Sequence, residues 1–211
     1  MRTSIMTSRV ARLARTVALG AAAVVGVASA SPSHASAQAL GPQRQFLSLE
    51  PYYSRLQLDN GDGSARTGEN GYGGRLWVNL APFSGPSPNL LGHMSLALFT
   101  TYYPDQAHVG VSILHYGAEG DIFFVNRPLG GVLDPFISIG GGAFRTKDIN
   151  ANQSETRFAL SPGAGIRIPL SNRFQIRGDA KDVLLFGVPV TSTTKKTLNN
   201  YEFTGALGIT F

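Results

Sequence analysis

Nine ionisable side chains, Glu50, Arg75, Glu119, Asp121, Arg167, Arg177, Asp179, Lys181 and Glu202, sit at alternate positions inside otherwise apolar segments. Such groups can transfer protons as general acids and bases, or they can pair with one another as a structural network. Catalysis asks for more than charge, because a base must stand beside a nucleophile. His115 stands beside Tyr116 and Glu119, yet spacing places no nucleophile next to it. It reads as an inward or rim histidine hydrogen-bonded to a carboxylate. His93 and His108 have no partner at the spacing of a zinc site. Gly140-Gly141-Gly142 lacks the lysine and the helix of a phosphate loop. Asp59-Asn60-Gly61-Asp62-Gly63-Ser64 looks like a calcium loop but lacks a glutamate at its twelfth position and flanking helices. The expectation is therefore a paired charge network, with no catalytic residue, cofactor or metal.

The elements that carry these charges alternate with a period of two, which is the signature of strands. Eight such segments fall at about 45–56, 71–82, 93–103, 109–125, 135–145, 157–170, 174–185 and 201–211, separated by clusters of Gly, Pro, Asn, Asp and Ser. Each is near the length, about 10 residues, that a tilted strand needs to cross a bilayer. Leu47, Leu49 and Tyr53 oppose Ser48, Glu50 and Tyr52; Leu76 and Val78 oppose Arg75 and Trp77; Leu96 and Leu98 oppose Ala97 and Phe99. In the seventh segment the phase is expected to slip near Asp182, giving Val183 and Leu185 the outward apolar role. Pro162 and Pro169 each remove a ladder donor and predict a bulge or a strand end. All nine charges fall opposite the apolar face. On a lipid face each would cost on the order of 2 to 4 kcal/mol at midplane, so they are expected to point inward. Five acids and four bases nearly balance, as a filled interior requires. An open pore would need about 16 strands.

The start of the chain reads as an export signal. Arg2, Arg9, Arg12 and Arg15 precede an uncharged apolar stretch at 16–30. That stretch is too short for a spanning helix, which needs about 20 residues. Ala37-Gln38-Ala39 is a small-x-small cleavage site and Ala35-Ser36-Ala37 a competing one, so cleavage falls after Ala39 or Ala37. Residues 1–39 thus read as signal and 40–211 as one domain. The 18 basic and 13 acidic residues give +5; without those four arginines the balance is 14 to 13, or +1. No basic block beyond Lys195-Lys196 remains, which argues against nucleic acid as a partner. With no cysteine, neither disulfides nor thiol chemistry contribute.

The final stretch, 201–211, sets Tyr201, Phe203, Leu207, Ile209 and Phe211 against Glu202, Thr204, Ala206, Gly208 and Thr210. With the strand-turn-strand at 163–179 (GAGIRIPLSNRFQIRGD), it resembles the small bacterial outer-membrane β-barrels of the OmpA-like and OmpX-like family, over about residues 44–211. The resemblance implies an all-β, eight-stranded, antiparallel up-and-down transmembrane barrel in the outer membrane. It implies that Phe203, Leu207, Ile209 and Phe211 form a C-terminal signal for the barrel-assembly machinery. Outer-membrane lipid is then the second partner. Loops at 57–70, 104–108, 147–156 and 188–200 are expected outside, and turns at 83–92, 126–134 and 171–173 in the periplasm. Tyr52, Tyr53, Tyr72, Tyr102, Tyr103, Tyr201, Phe83, Phe174 and Phe211 are expected at the membrane interfaces. The favoured function is a structural or surface-interaction role with a plugged lumen. Two alternatives differ in class: a soluble, lipocalin-like periplasmic carrier, which would need the apolar faces inward and the charges outward, and a lipid-modifying barrel enzyme using His115 or His93.

Overall fold

A computed structural model of the chain describes residues 46–59, 61, 65–83, 90–104, 110–124, 132–171, 173–189 and 195–211. The expected signal, 1–39, lies outside the described residues, as do His108 and most of the loop 59–64. Eight strands follow in order: β1 (Leu47–Leu58), β2 (Thr67–Asn79), β3 (Met94–Tyr103), β4 (Val111–Phe123), β5 (Asp134–Asp148), β6 (Gln153–Pro169), β7 (Phe174–Pro189) and β8 (Lys195–Thr210). Short 3₁₀ turns at Ala81–Phe83 and Leu90–His93 lie between β2 and β3. Each strand pairs antiparallel with its chain neighbours, and β1 pairs with β8, so the sheet closes into a barrel.

The stagger of that closure follows from the hydrogen-bonded partners. From Pro135 the path runs through Ile166, Gly178, Gly205, Tyr53, Tyr72, Tyr102 and Leu114, and it returns to β5 at Arg145, ten residues beyond its start. Such a stagger tilts the strands, and eight tilted strands leave an interior that side chains alone can fill. Glycines allow the walls to close up. A Cβ on Gly142 would collide with the Tyr116 carbonyl oxygen, and one on Gly117 with that of Gly141, so the glycine-rich piece of β5 is a place of close backbone approach.

The two ends of the barrel differ. At one end, here the foot, β6 and β7 join through a tight turn in which the Leu170 and Ser171 amides donate to the Phe174 carbonyl, at 2.9 and 3.1 Å. At the other, the rim, strands run well past the apolar alternation. The stretches 147–156 and 188–200, expected as loops, are largely strand, and strand enters 57–70 from both ends, to Leu58 and from Thr67. β5 and β6 meet in a turn at 149–152, where the Asp148 carboxylate accepts the Asn150 and Ala151 amides, each at 2.9 Å. Asn152 closes it with φ of 50°. Polar side chains concealed this hairpin because its ladder stands beyond the part of the barrel that must alternate.

Two further expectations are corrected. The phase of β7 does not slip near Asp182: Lys181, Val183 and Leu185 are all buried, with Asp182 and Leu184 between them on the outer side. The irregularity lies between Leu185 and Val188 against β8, with Gly187 at φ 71°. Pro169 ends β6, as expected. Pro162 makes neither a bulge nor an end: β5 pairs straight past it, and the β6–β7 ladder lapses there and resumes at Gly163–Lys181 in the same register.

Candidate functional site

The inward-facing residues form three layers. All nine charges singled out by spacing are buried, none more than 9% exposed, and the middle layer brings together eight of them, all but Arg167. Arg177, on β7, is its hub. Its Nε donates to Asp179 at 2.9 Å, its Nη1 to Asp121 at 2.5 Å and its Nη2 to Glu119 at 2.9 Å. The rings of Trp77 and Phe136 lie 4.5 and 4.1 Å from its guanidinium carbon, so the cation is held by carboxylates in its plane and by π faces. Arg75 forms a fork on Asp179 at 2.9 and 3.1 Å and reaches Thr204 at 3.0 Å. Lys181 donates to Glu119 and lies 3.6 Å from Asp179. Glu50 accepts from Trp77 Nε1 at 2.6 Å and Gln175 Nε2 at 2.7 Å. Glu202 accepts from Ser54 at 2.9 Å and Tyr103 at 2.7 Å.

These side chains come from several different strands, and alternation places all of them on the inner face. Inner glycines make room: a Cβ on Gly73 would lie 2.6 Å from the Tyr52 ring, and one on Gly165 would collide with that of Phe136. A buried charge is stable when it is paired and its hydrogen-bonding capacity is met, and Arg177, Asp179 and Glu119 satisfy that condition jointly.

The foot layer holds Arg167, 3.9 Å from Asp134 and stacked on Phe123 at 4.0 Å. Asp134, 3% exposed, falls just outside the segment expected from spacing, which begins at Pro135. Its parity with Phe136 and Ser138 is the signal that could have found it. A recess of about 20 Å³ lies here, lined by Ser48, Trp77, Asn79, Ser95, Arg167 and Gln175 among others. That is room for about one water.

The rim layer is apolar. Leu56, Tyr103, Ile113, Phe144, Ala159, Val183 and Leu185 form one buried cluster, with Leu58, Val188 and Leu198 packed against it. Spacing alone misses this plug as well, because apolar residues of an alternating strand read as lipid-facing. Tyr52 and Tyr103, expected at the membrane interface, belong to the interior, at 5% and 1% exposure.

His115 faces inward, its ring 4.8 Å from that of Phe99 and its Nδ1 3.8 Å from Glu202. The expected carboxylate hydrogen bond is therefore not formed. Tyr116 points to the outer face, and His93 stands at the foot of β3, so the arrangement does not unite them.

The outer wall is the reverse of the interior. Leu49, Leu76, Leu96, Leu98, Ile137, Ile139 and Ile176 are exposed, with Tyr53, Tyr72, Tyr102 and Tyr201 toward the rim and Phe83, Phe174 and Phe211 toward the foot. Phe203, Leu207 and Phe211 are exposed and Ile209 half-buried in the same outward row. Arg55, bonded to Asn70 at 2.6 Å, and Asp182 are charges on this wall. They lie rimward of its centre, where such a residue costs only about 0 to 1 kcal/mol. A soluble carrier would need the opposite polarity.

No protein-family profile matches the sequence, and no curated protein matches it. Solved structures do match. Neisserial surface protein A aligns with a TM-score of 0.59 at 9% identity, over 78% of this chain and 97% of that one. The N-terminal β-barrel domain of Pseudomonas aeruginosa OprF aligns at 0.50 and 15% identity, over 78% and 97%. Ail, the attachment invasion locus protein of Yersinia pestis, aligns at 0.50 and 12%, over 79% and 99%. Identities this low speak for shared architecture alone. A closed eight-strand wall, apolar without and charged within, together with these matches, gives the chain the fold of the small outer-membrane β-barrels.

Proposed function

We propose that the protein resides in the bacterial outer membrane as a closed barrel with a structural and surface-contact role. Outer-membrane lipid meets its apolar wall, and its rim reaches the outside. The barrel-assembly machinery meets the outward row of Phe203, Leu207, Ile209 and Phe211. The lumen is plugged rather than open, and the chain is not an enzyme. The observation that carries this reading is the inverted polarity: the nine charges singled out by spacing, and Asp134 with them, sealed within, and a belt of exposed Leu, Ile and aromatic side chains without. Water would penalise such a belt, whereas hydrocarbon accepts it. The plug is supported by two stacked closures, an apolar one at the rim and an ionic one below it. The non-enzymatic reading draws on His115, enclosed by Phe99, Phe144 and Glu202 and out of reach of lipid.

Fractionation of the cell envelope tests the assignment directly. The mature chain is expected in the outer-membrane fraction, migrating faster on gels unboiled than boiled. Recovery as a detergent-free periplasmic protein would overturn it. Altered lipid A in cells overproducing the chain would overturn the non-enzymatic reading.

A further inference from the structure

We propose that His115 is a proton-binding bolt across the lumen: on acidification it takes up a proton and, as a cation, donates from Nδ1 to Glu202 on the opposite wall. The two residues stand on β4 and β8, four strands apart either way round a ring of eight. Both face inward and both are buried, at 1% and 2% exposure. The inward row of β4 runs from Ile113 of the rim plug through His115 to Glu119 of the ionic layer, so the imidazole lies between the two closures. It adjoins both of them. Its ring stands 5.6 Å from that of Phe144, a plug residue, and 4.8 Å from that of Phe99.

An imidazole offers one donor and one acceptor when neutral, and two donors when charged. Both ring nitrogens of His115 are buried, and neither has a hydrogen-bond partner. The carboxylate before the ring is Glu202, whose Oε2 lies 3.8 Å from Nδ1. The hydroxyl bonds that Glu202 accepts from Ser54 and Tyr103 both end on Oε1. Oε2 is therefore the oxygen turned toward the ring. A charge-assisted bond of about 2.8 Å asks for a closing movement of about 1 Å.

The charge of the interior favours the proton. To the five acids and four bases singled out by spacing, the buried residues add Glu69 at the rim and Asp134 at the foot, so seven carboxylates stand against four cations among the described residues. A sealed negative excess is costly, and a proton on an imidazole reduces it. Charged groups act on the ring from several strands. Glu202 on β8 and Glu119 on its own strand favour the cation, while Lys181 on β7 and Arg75 on β2 oppose it. Glu119 is already held by Arg177 and Lys181, and Arg75 by Asp179. Of the two acids, Glu202 is the one bonded by neutral donors alone. Burial by itself would keep the ring neutral, so the bond to Glu202 is what holds the proton.

The inference rests on the closed fold and not on the role proposed above, so it can fail while envelope residence holds. The test follows the imidazole nitrogens by NMR in the purified protein, isotope-labelled at histidine and embedded in lipid nanodiscs, with the His115 signals identified by their loss in His115→Gln. Between about pH 8 and about pH 4 these signals are expected to pass from the wide separation of a neutral ring to the narrow one of a cation. In the acid form an Nδ1 proton shielded from exchange with water is expected as well. Glu202→Gln keeps an oxygen for Ser54 and Tyr103 but not the charge. It is expected to lower the proton affinity about tenfold, which is about one pH unit in the midpoint, and to abolish the shielded proton. Asp134→Asn removes an equal charge at the foot and is expected to change the affinity less than about twofold. A ring that stays neutral throughout in the unaltered protein would overturn the proposal, and that measurement needs no variant to fold. So would an unshifted midpoint in Glu202→Gln, or an equal shift in Asp134→Asn, which would make the proton answer to the overall charge of the lumen.

Discussion

Arg177 donates to three carboxylates at once, and its replacement therefore differs from the loss of a surface ion pair. Arg177→Met would leave Asp121, Asp179 and Glu119 short of a counter-charge in a sealed interior, at a cost of about 3 to 5 kcal/mol. Urea unfolding in lipid vesicles should show a correspondingly lower midpoint. Because these groups are withdrawn from solvent, raising salt from about 0.05 to about 0.5 M should move the unaltered midpoint little. A large salt shift would mean that the network is wetter than its burial indicates. At this scale the sequence is readable wherever a charge shares the parity of its strand, as with Glu119 and Asp121. It is unreadable where identity depends on distance: His115 lies near a carboxylate but 3.8 Å from it, beyond hydrogen-bond reach.

Strands show why one face is easier to read than the other. Lipid tolerates only apolar groups, so the outer row of β3, Leu96, Leu98 and Tyr102, can be recognised from chemistry alone. The interior accepts apolar and polar residues alike. Val183 and Leu185 consequently read as outward from sequence although they face in, and the hairpin 145–156, polar on both sides, reads largely as loop. Two substitutions separate the faces. Leu98 stands in mid-strand on the outer wall, 66% exposed. Leu98→Arg should therefore cost about 2 to 4 kcal/mol in a bilayer. Val183 lies in the rim plug at 0% exposure. Val183→Asn should cost about 1 to 3 kcal/mol by leaving an amide without partners. Folding yield read by unboiled gel mobility checks both, and a neutral Val183→Asn would contradict the inward assignment of β7.

The barrel as a whole is obstructed twice. Planar-bilayer recordings are expected to show no steady conductance for the unaltered protein. Phe144→Ala, which thins the apolar plug, should add little, because the layer of Arg75, Arg177 and Lys181 with their acids still blocks the path. Conductance is expected only when both layers are altered together. Ions passing freely through the Phe144→Ala barrel would show that the ionic layer is not a barrier.

Closure itself sets a timetable. Leu49 pairs with Ile209 across 160 positions of sequence, and the wall is not continuous until those strands meet. Contacts so distant along the chain form slowly, and every intermediate before that moment carries two raw strand margins and an uncovered greasy surface. The unclosed polypeptide therefore faces its greatest danger of clumping during the wait for its last strand, and a holding chaperone would be needed for that interval above all.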